Sequence, residues 1–133
     1  MPVISPLLSI VSWSVVLFFI HLIVQDLTMT RERGLEWNVG ARDGTARALS
    51  DVAARADRAF ANFRETYVVF IGLAVLCLIT APLSDVAIIG GWVWFVARIA
   101  YLPLYLSGVK RIRTLAWLVS IGGLVAMLIA GFV

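Results

Sequence analysis

The chain has 133 residues, 62% of them hydrophobic and only 14% charged, with a mean hydropathy of +0.98. Soluble domains average roughly 45–50% apolar residues, so a soluble globular fold is excluded and an all-α integral membrane protein of one domain, residues 1–133, is expected. The net charge of +3 does not argue for nucleic acid, because basic excess in a membrane protein reports topology.

Four segments reach the length of about 20 residues that a hydrocarbon core of roughly 30 Å requires. The first runs from about Ser5 to Leu27. It lacks a basic leader and is too long for a signal peptide, so it reads as a true span. His21 and Gln25 stand four apart within it. One histidine without carboxylates at ligand spacing is a poor metal site, so no metal is expected and an interhelical hydrogen bond is.

Residues 28 to 65 hold Arg31, Arg33, Arg42, Arg47, Arg55, Arg58 and Arg64. The stretch "MTRERGLEWNVGARDGT" has glycine turn signals and no steady period, and reads as an ordered loop. From Ala46, "ARALSDVAARADRAFANFRETY" is alanine-rich and free of Gly and Pro. A helix is predicted from about residue 46, capped by Thr45 or Asp43, leading into the second span at 66–81. Cys77 lies in that span as the only cysteine. It allows no internal disulfide and reads as a buried, inert thiol.

The turn "APLSD" at 81–85 carries no basic residue. The third span covers 86–106 and the fourth 114–133, joined by a connection with Lys110, Arg111 and Arg113. The two basic connections share one side. The positive-inside rule makes that side the cytoplasm and leaves both termini outside it. Trp13, Trp92 and Trp94 fit an outer aromatic belt and Trp117 an inner one. The Gly pairs at 90–91 and 122–123 are expected to let helices approach closely.

Arg58, Asn62 and Glu65 fall at i, i+4 and i+7 on the second helix, and Arg55 and Asp51 extend the same face. A charged stripe there is either a solvated helix end with Asp51–Arg55 pairing or the wall of a polar cavity. On the third span Arg98, Tyr101 and Tyr105 share one face. An arginine near mid-span costs a few kcal/mol, so it needs an anionic or carbonyl partner, and Glu65 is the carboxylate near that level. Pro103 is expected to kink this span. Lys110 and Arg111 read as headgroup anchors, whereas Arg113, at the start of the fourth span, is placed to turn inward.

Taken together in this order, "RADRAFANFRE", "ARIAYLPLY" and "RTLAW" on four short spans resemble the MAPEG family, the membrane-associated proteins in eicosanoid and glutathione metabolism. The "GARD" run at 40–43 is similar to bacterial members. The resemblance implies a left-handed four-helix bundle, a homotrimer, and a bacterial inner membrane. It implies glutathione as co-substrate, held by Arg58, Asn62 and Glu65 with Tyr101 and Tyr105, and Arg55 and Arg98 complete the candidate binding set. Arg113, with Tyr105, is implied as the group that activates the thiol, and Arg111 is the alternative. Phe60 and Thr66 stand where some members carry a polar residue and a tyrosine.

The residue types suit that ligand. Arginine grips carboxylates with a planar fork, a glutamate pairs with an ammonium, and a nearby guanidinium favours thiolate. The expected partners are therefore glutathione, a lipophilic small-molecule substrate, membrane lipid and further copies of the chain. Two readings stand against a glutathione-dependent transferase or peroxidase. One is a non-catalytic MAPEG-fold accessory protein whose polar cluster only holds the bundle together. The other is a small four-span exporter, disfavoured because Asp26 lies only at the end of the first span.

Overall fold

A computed structural model describes residues 4–133. These form five helices: α1 (Pro6–Arg33), α2 (Leu35–Val39), α3 (Asp51–Thr80), α4 (Asp85–Leu106) and α5 (Lys110–Phe132). All but α2 are long and apolar enough to cross a membrane. The architecture is an all-α membrane four-helix bundle, in which α1 and α5 each pack on both α3 and α4.

The helix starts follow local chemistry. The Ser5 hydroxyl accepts from the Leu7 N–H at 3.2 Å, and Pro6 occupies the first helical position, where its missing N–H costs nothing. The Ser84 hydroxyl accepts from the Ala87 N–H at 3.4 Å at the head of α4. α1 continues past the apolar run ending at Leu27 and stops at Gly34, whose φ of 87° suits glycine. The segment expected to be loop therefore contains the last turns of α1 and the short α2.

α3 begins at Asp51, not near Ala46, and its cap is Ser50 rather than Thr45 or Asp43. Tertiary contacts decide this. The Glu32 carboxylate accepts from both the Ser50 N–H and the Ser50 hydroxyl, and Arg33 Nε donates to the Arg47 carbonyl at 2.9 Å. Residues 47 to 50 are thus held against the end of α1 in a non-helical path that alanine propensity alone does not foresee. Glu32 lies beyond the apolar run. The two Ser50 hydrogen bonds, the side-chain one foremost, hold its carboxyl below the ordinary range.

α5 begins at Lys110, so all three basic residues of the third connection sit in its first turns. α4 carries Pro103 within it and runs on to Leu106.

The main core lies toward the Ser84 end of α4. Trp94 is fully buried and stacks on Phe70 with ring centroids 3.9 Å apart. It belongs to the core and not to the outer belt, whereas Trp13 and Trp92 remain exposed. Gly90 and Gly123 let α4 and α5 touch: a Cβ on Gly123 would lie 2.7 Å from the Trp94 backbone nitrogen. Cys77 is buried, and its Sγ–H donates to the Met127 carbonyl at 3.3 Å.

Candidate functional site

At the other end of the bundle the core thins to Ala59, Tyr101 and Leu102, flanked by Tyr105, Ala116 and Trp117. Small Ala59 leaves room between α3, α4 and α5. The space is a cavity of about 270 Å³ lined by Asn62, Tyr101, Arg113, Thr114 and Trp117.

The polar members come from three helices: Asn62 from α3, Tyr101 from α4, and Arg113 and Thr114 from α5. Arg98 is fully buried, and its Nη1 donates to Asn62 Oδ1 at 3.0 Å. The partner of the mid-span arginine is thus a neutral amide carbonyl and not Glu65, which stands exposed one turn further along α3. Arg98 Nε and Nη2 have no protein hydrogen-bond partner among the described residues. The guanidinium instead lies over the Tyr101 ring, 4.3 Å from its centroid, and 5.5 Å from that of Phe63. Cation–π contact is worth about 2 kcal/mol or more when desolvated, so the two rings offset part of the burial cost.

A second arginine–tyrosine contact lies beside the first. Arg113 sits 4.4 Å from the Tyr105 ring centroid, and the two tyrosine rings are 5.4 Å apart. Arg98, Tyr101, Tyr105 and Arg113 therefore form a ladder from the bundle interior to the start of α5. Arg113 turns inward and lines the cavity, while Arg111 is exposed.

Arg58 and Glu65 share the Asn62 face of α3 and are exposed. Arg55 does something else within this chain. Its Nη1 donates to the Leu106 carbonyl at 3.2 Å, and its guanidinium closes over Gly108, where a Cβ would lie 3.0 Å from the guanidinium carbon. Gly108 has φ 75°, so both its backbone and its neighbour favour glycine there. Arg55 thus ties α3 to the turn that sets where α5 starts.

Phe60 and Thr66 are both used for packing. Phe60 is buried against Phe18, at 5.4 Å between centroids. Thr66 is buried and its hydroxyl donates to the Phe63 carbonyl at 3.2 Å. Tyr67 lies in the aromatic core, its hydroxyl 3.2 Å from that of Ser14.

Among the described residues His21 makes no interhelical hydrogen bond. It is buried, neither ring nitrogen has a partner among the described residues, and its ring stacks on Phe63 with centroids 4.4 Å apart. Gln25 makes the interhelical bond instead, donating to Asp57 Oδ1 at 3.2 Å. Among the described residues no group of His, Cys, Asp and Glu could hold a metal ion. Thr114 and Trp117 are cavity residues that the sequence reading did not assign to the site. The signal available was the i, i+4 spacing of Trp117 from Arg113, outweighed by the belt rule for tryptophan.

The arrangement offers an amide, a tyrosine and an inward guanidinium at one opening, with Tyr105 against that guanidinium and further charge outside. A family model described as MAPEG family matches residues 10–133. No curated protein and no solved structure matches the chain.

Proposed function

The chain belongs to the MAPEG family, and on that premise we propose that it is a glutathione-dependent membrane transferase or peroxidase acting on lipophilic electrophiles. The observation that carries this reading is the convergence of Asn62, Tyr101 and Arg113 on one cavity, with Tyr105 under the Arg113 guanidinium. A cavity of about 270 Å³ sits just below the usual range for small-ligand clefts, about 300–1,000 Å³. A tripeptide would therefore extend beyond it onto exposed Arg58 and Glu65. In this reading the exposed face of α3 is completed by a neighbouring copy in a homotrimer.

The chemistry follows from the groups present. Arg58 would grip a glutathione carboxylate, Glu65 would pair with the ammonium, and the free amide N–H groups of Asn62 would donate to a peptide carbonyl. An ordinary thiol has a pKa of about 8.5 and is mostly protonated at neutral pH. Lowering it by two units makes thiolate dominant, and each unit corresponds to about 1.4 kcal/mol of interaction with the nearby positive charge. Arg113 is placed to supply that charge, and Tyr105 to steady both the guanidinium and the sulfur. The thiolate lone pair then forms a bond to an electrophilic carbon or peroxide oxygen entering from the bilayer. The leaving group departs with the electrons of the broken bond.

The test is thiolate absorbance in the ultraviolet on mixing the detergent-purified protein with glutathione at neutral pH. A saturable signal that Arg113→Ala removes is the expected result. Absence of the signal in the wild type overturns the reading. A second reading, a non-catalytic bundle protein, is favoured by one observation: Phe60 and Thr66 serve packing. It requires that Arg58→Ala and Glu65→Ala disturb assembly and leave no activity to lose.

A further inference from the structure

On the side of α4 and α5 that faces away from the polar cavity lies an open groove of about 560 Å³. Trp92, Val96, Ala100 and Leu104 form one wall, and Ile112 and Leu115 stand on the other. The whole lining is apolar. Trp92 and Leu104 are twelve residues apart, so the groove runs about 18 Å along the helix axis. That is a little more than half of a hydrocarbon core of roughly 30 Å, or one leaflet. A transmembrane helix of another chain would need the full thickness, whereas an acyl chain needs one leaflet.

The charge at its ends differs. The Leu104–Ile112 end opens beside Lys110 and Arg111, both exposed, and the first turn of α5 has no acidic residue. At the Trp92 end the nearest charged residue toward the start of α4 is Asp85, a carboxylate.

We propose that this groove binds one anionic phospholipid from the leaflet on the Lys110 side. Its acyl chain lies along Trp92, Val96, Ala100 and Leu104. Its phosphate meets Lys110 as a point charge and Arg111 as a planar fork. Basic residues alone at this level would be ordinary headgroup anchors. The groove of single-leaflet length beneath them makes a site. The lipid site is separate from the thiol chemistry, because Arg113 and Trp117 line the cavity while Ile112 and Leu115 line the groove.

Native mass spectrometry tests this on the detergent-purified protein exchanged with equal amounts of phosphatidylglycerol and phosphatidylcholine. One retained phosphatidylglycerol per chain is expected, favoured over phosphatidylcholine at least tenfold. Ala100→Trp fills the groove from an exposed position and should lower retention at least tenfold. Circular dichroism separates a filled groove from a misfolded chain. The surface variant Lys110→Gln with Arg111→Gln, read independently, should keep lipid but lose the headgroup preference. Equal retention of the two lipids by the wild type, no retention, or retention unchanged in a folded Ala100→Trp overturns the proposal. So does an Ala100→Trp that breaks the oligomer and leaves lipid unchanged, which would make the groove a contact between copies.

Discussion

Around Trp94 the bundle is dry and closely fitted: Phe70 stacks on the indole, and Gly90 and Gly123 bring α4 and α5 into backbone contact. One turn along the same helix, around Arg98, the packing opens. A guanidinium has a single amide partner, two rings beneath it, and a cavity alongside. The first region satisfies the needs of a membrane bundle, where close van der Waals packing holds helices together. The second carries costs that packing does not require. The difference separates the packing that keeps the four helices together from the region on which the proposed chemistry is placed.

The largest expected effect tests the dry half. Trp94→Ala should cost roughly 3 kcal/mol, because its cavity is walled by helices that cannot collapse fully. Thermal unfolding in detergent measures it, and glutathione affinity of the surviving folded fraction should be unchanged. Equal damage to affinity would mean that the two halves act as one unit. Gly123→Ala should cost about 1–3 kcal/mol by overpacking, since the new Cβ meets backbone atoms that have nowhere to go. The same unfolding curve checks it.

The polar half should respond in the opposite way. Arg113→Ala is expected to lower the thiolate fraction at neutral pH about tenfold, near 1.4 kcal/mol, with the unfolding midpoint unchanged. Arg98→Met sharpens the contrast further. Arg98 Nε and Nη2 are buried without a hydrogen-bond partner among the described residues, so an apolar side chain of similar volume removes a desolvation penalty that nothing fully offsets. We therefore expect an equal or higher unfolding midpoint, together with glutathione binding weakened about tenfold as Asn62 and Tyr101 lose their anchor. A clear loss of stability with intact binding would place Arg98 in the scaffold instead.

The smallest effect is local. Glu32 has its carboxyl held below the ordinary range by hydrogen bonds from Ser50. Its contribution is present in full above the ordinary carboxylate range and is lost as the pH falls through the lowered value. Hydrogen exchange at Ala53 and Ala54 should quicken at acid pH, and Glu32→Gln should remove that pH dependence without moving the global midpoint.

Much of this was legible from residue order. Hydropathy marked four spans, because each must present about 20 apolar residues to lipid whatever its neighbours are. Helical spacing placed Arg98, Tyr101 and Tyr105 on one face, and the glycine pairs marked a close approach. Partners were another matter. Arg98 finds Asn62 and not Glu65 because the rotation of α3 against α4 turns the amide inward and leaves the carboxylate exposed. Trp94 and Trp92 differ by two residues, and only helix rotation makes one core and the other surface.

Sequence by itself therefore determined the membrane class, the number of spans, the family likeness and which residues share one face of a helix. These depend on composition and on a fixed angle per residue. Tertiary structure decided that Ser50 starts α3 because Glu32 holds it, that Arg98 bonds Asn62, and that His21 stacks where Gln25 bonds. Each of these is a contact between segments, set by helix rotation and register, and neither quantity is carried by the spacing of residues within one helix.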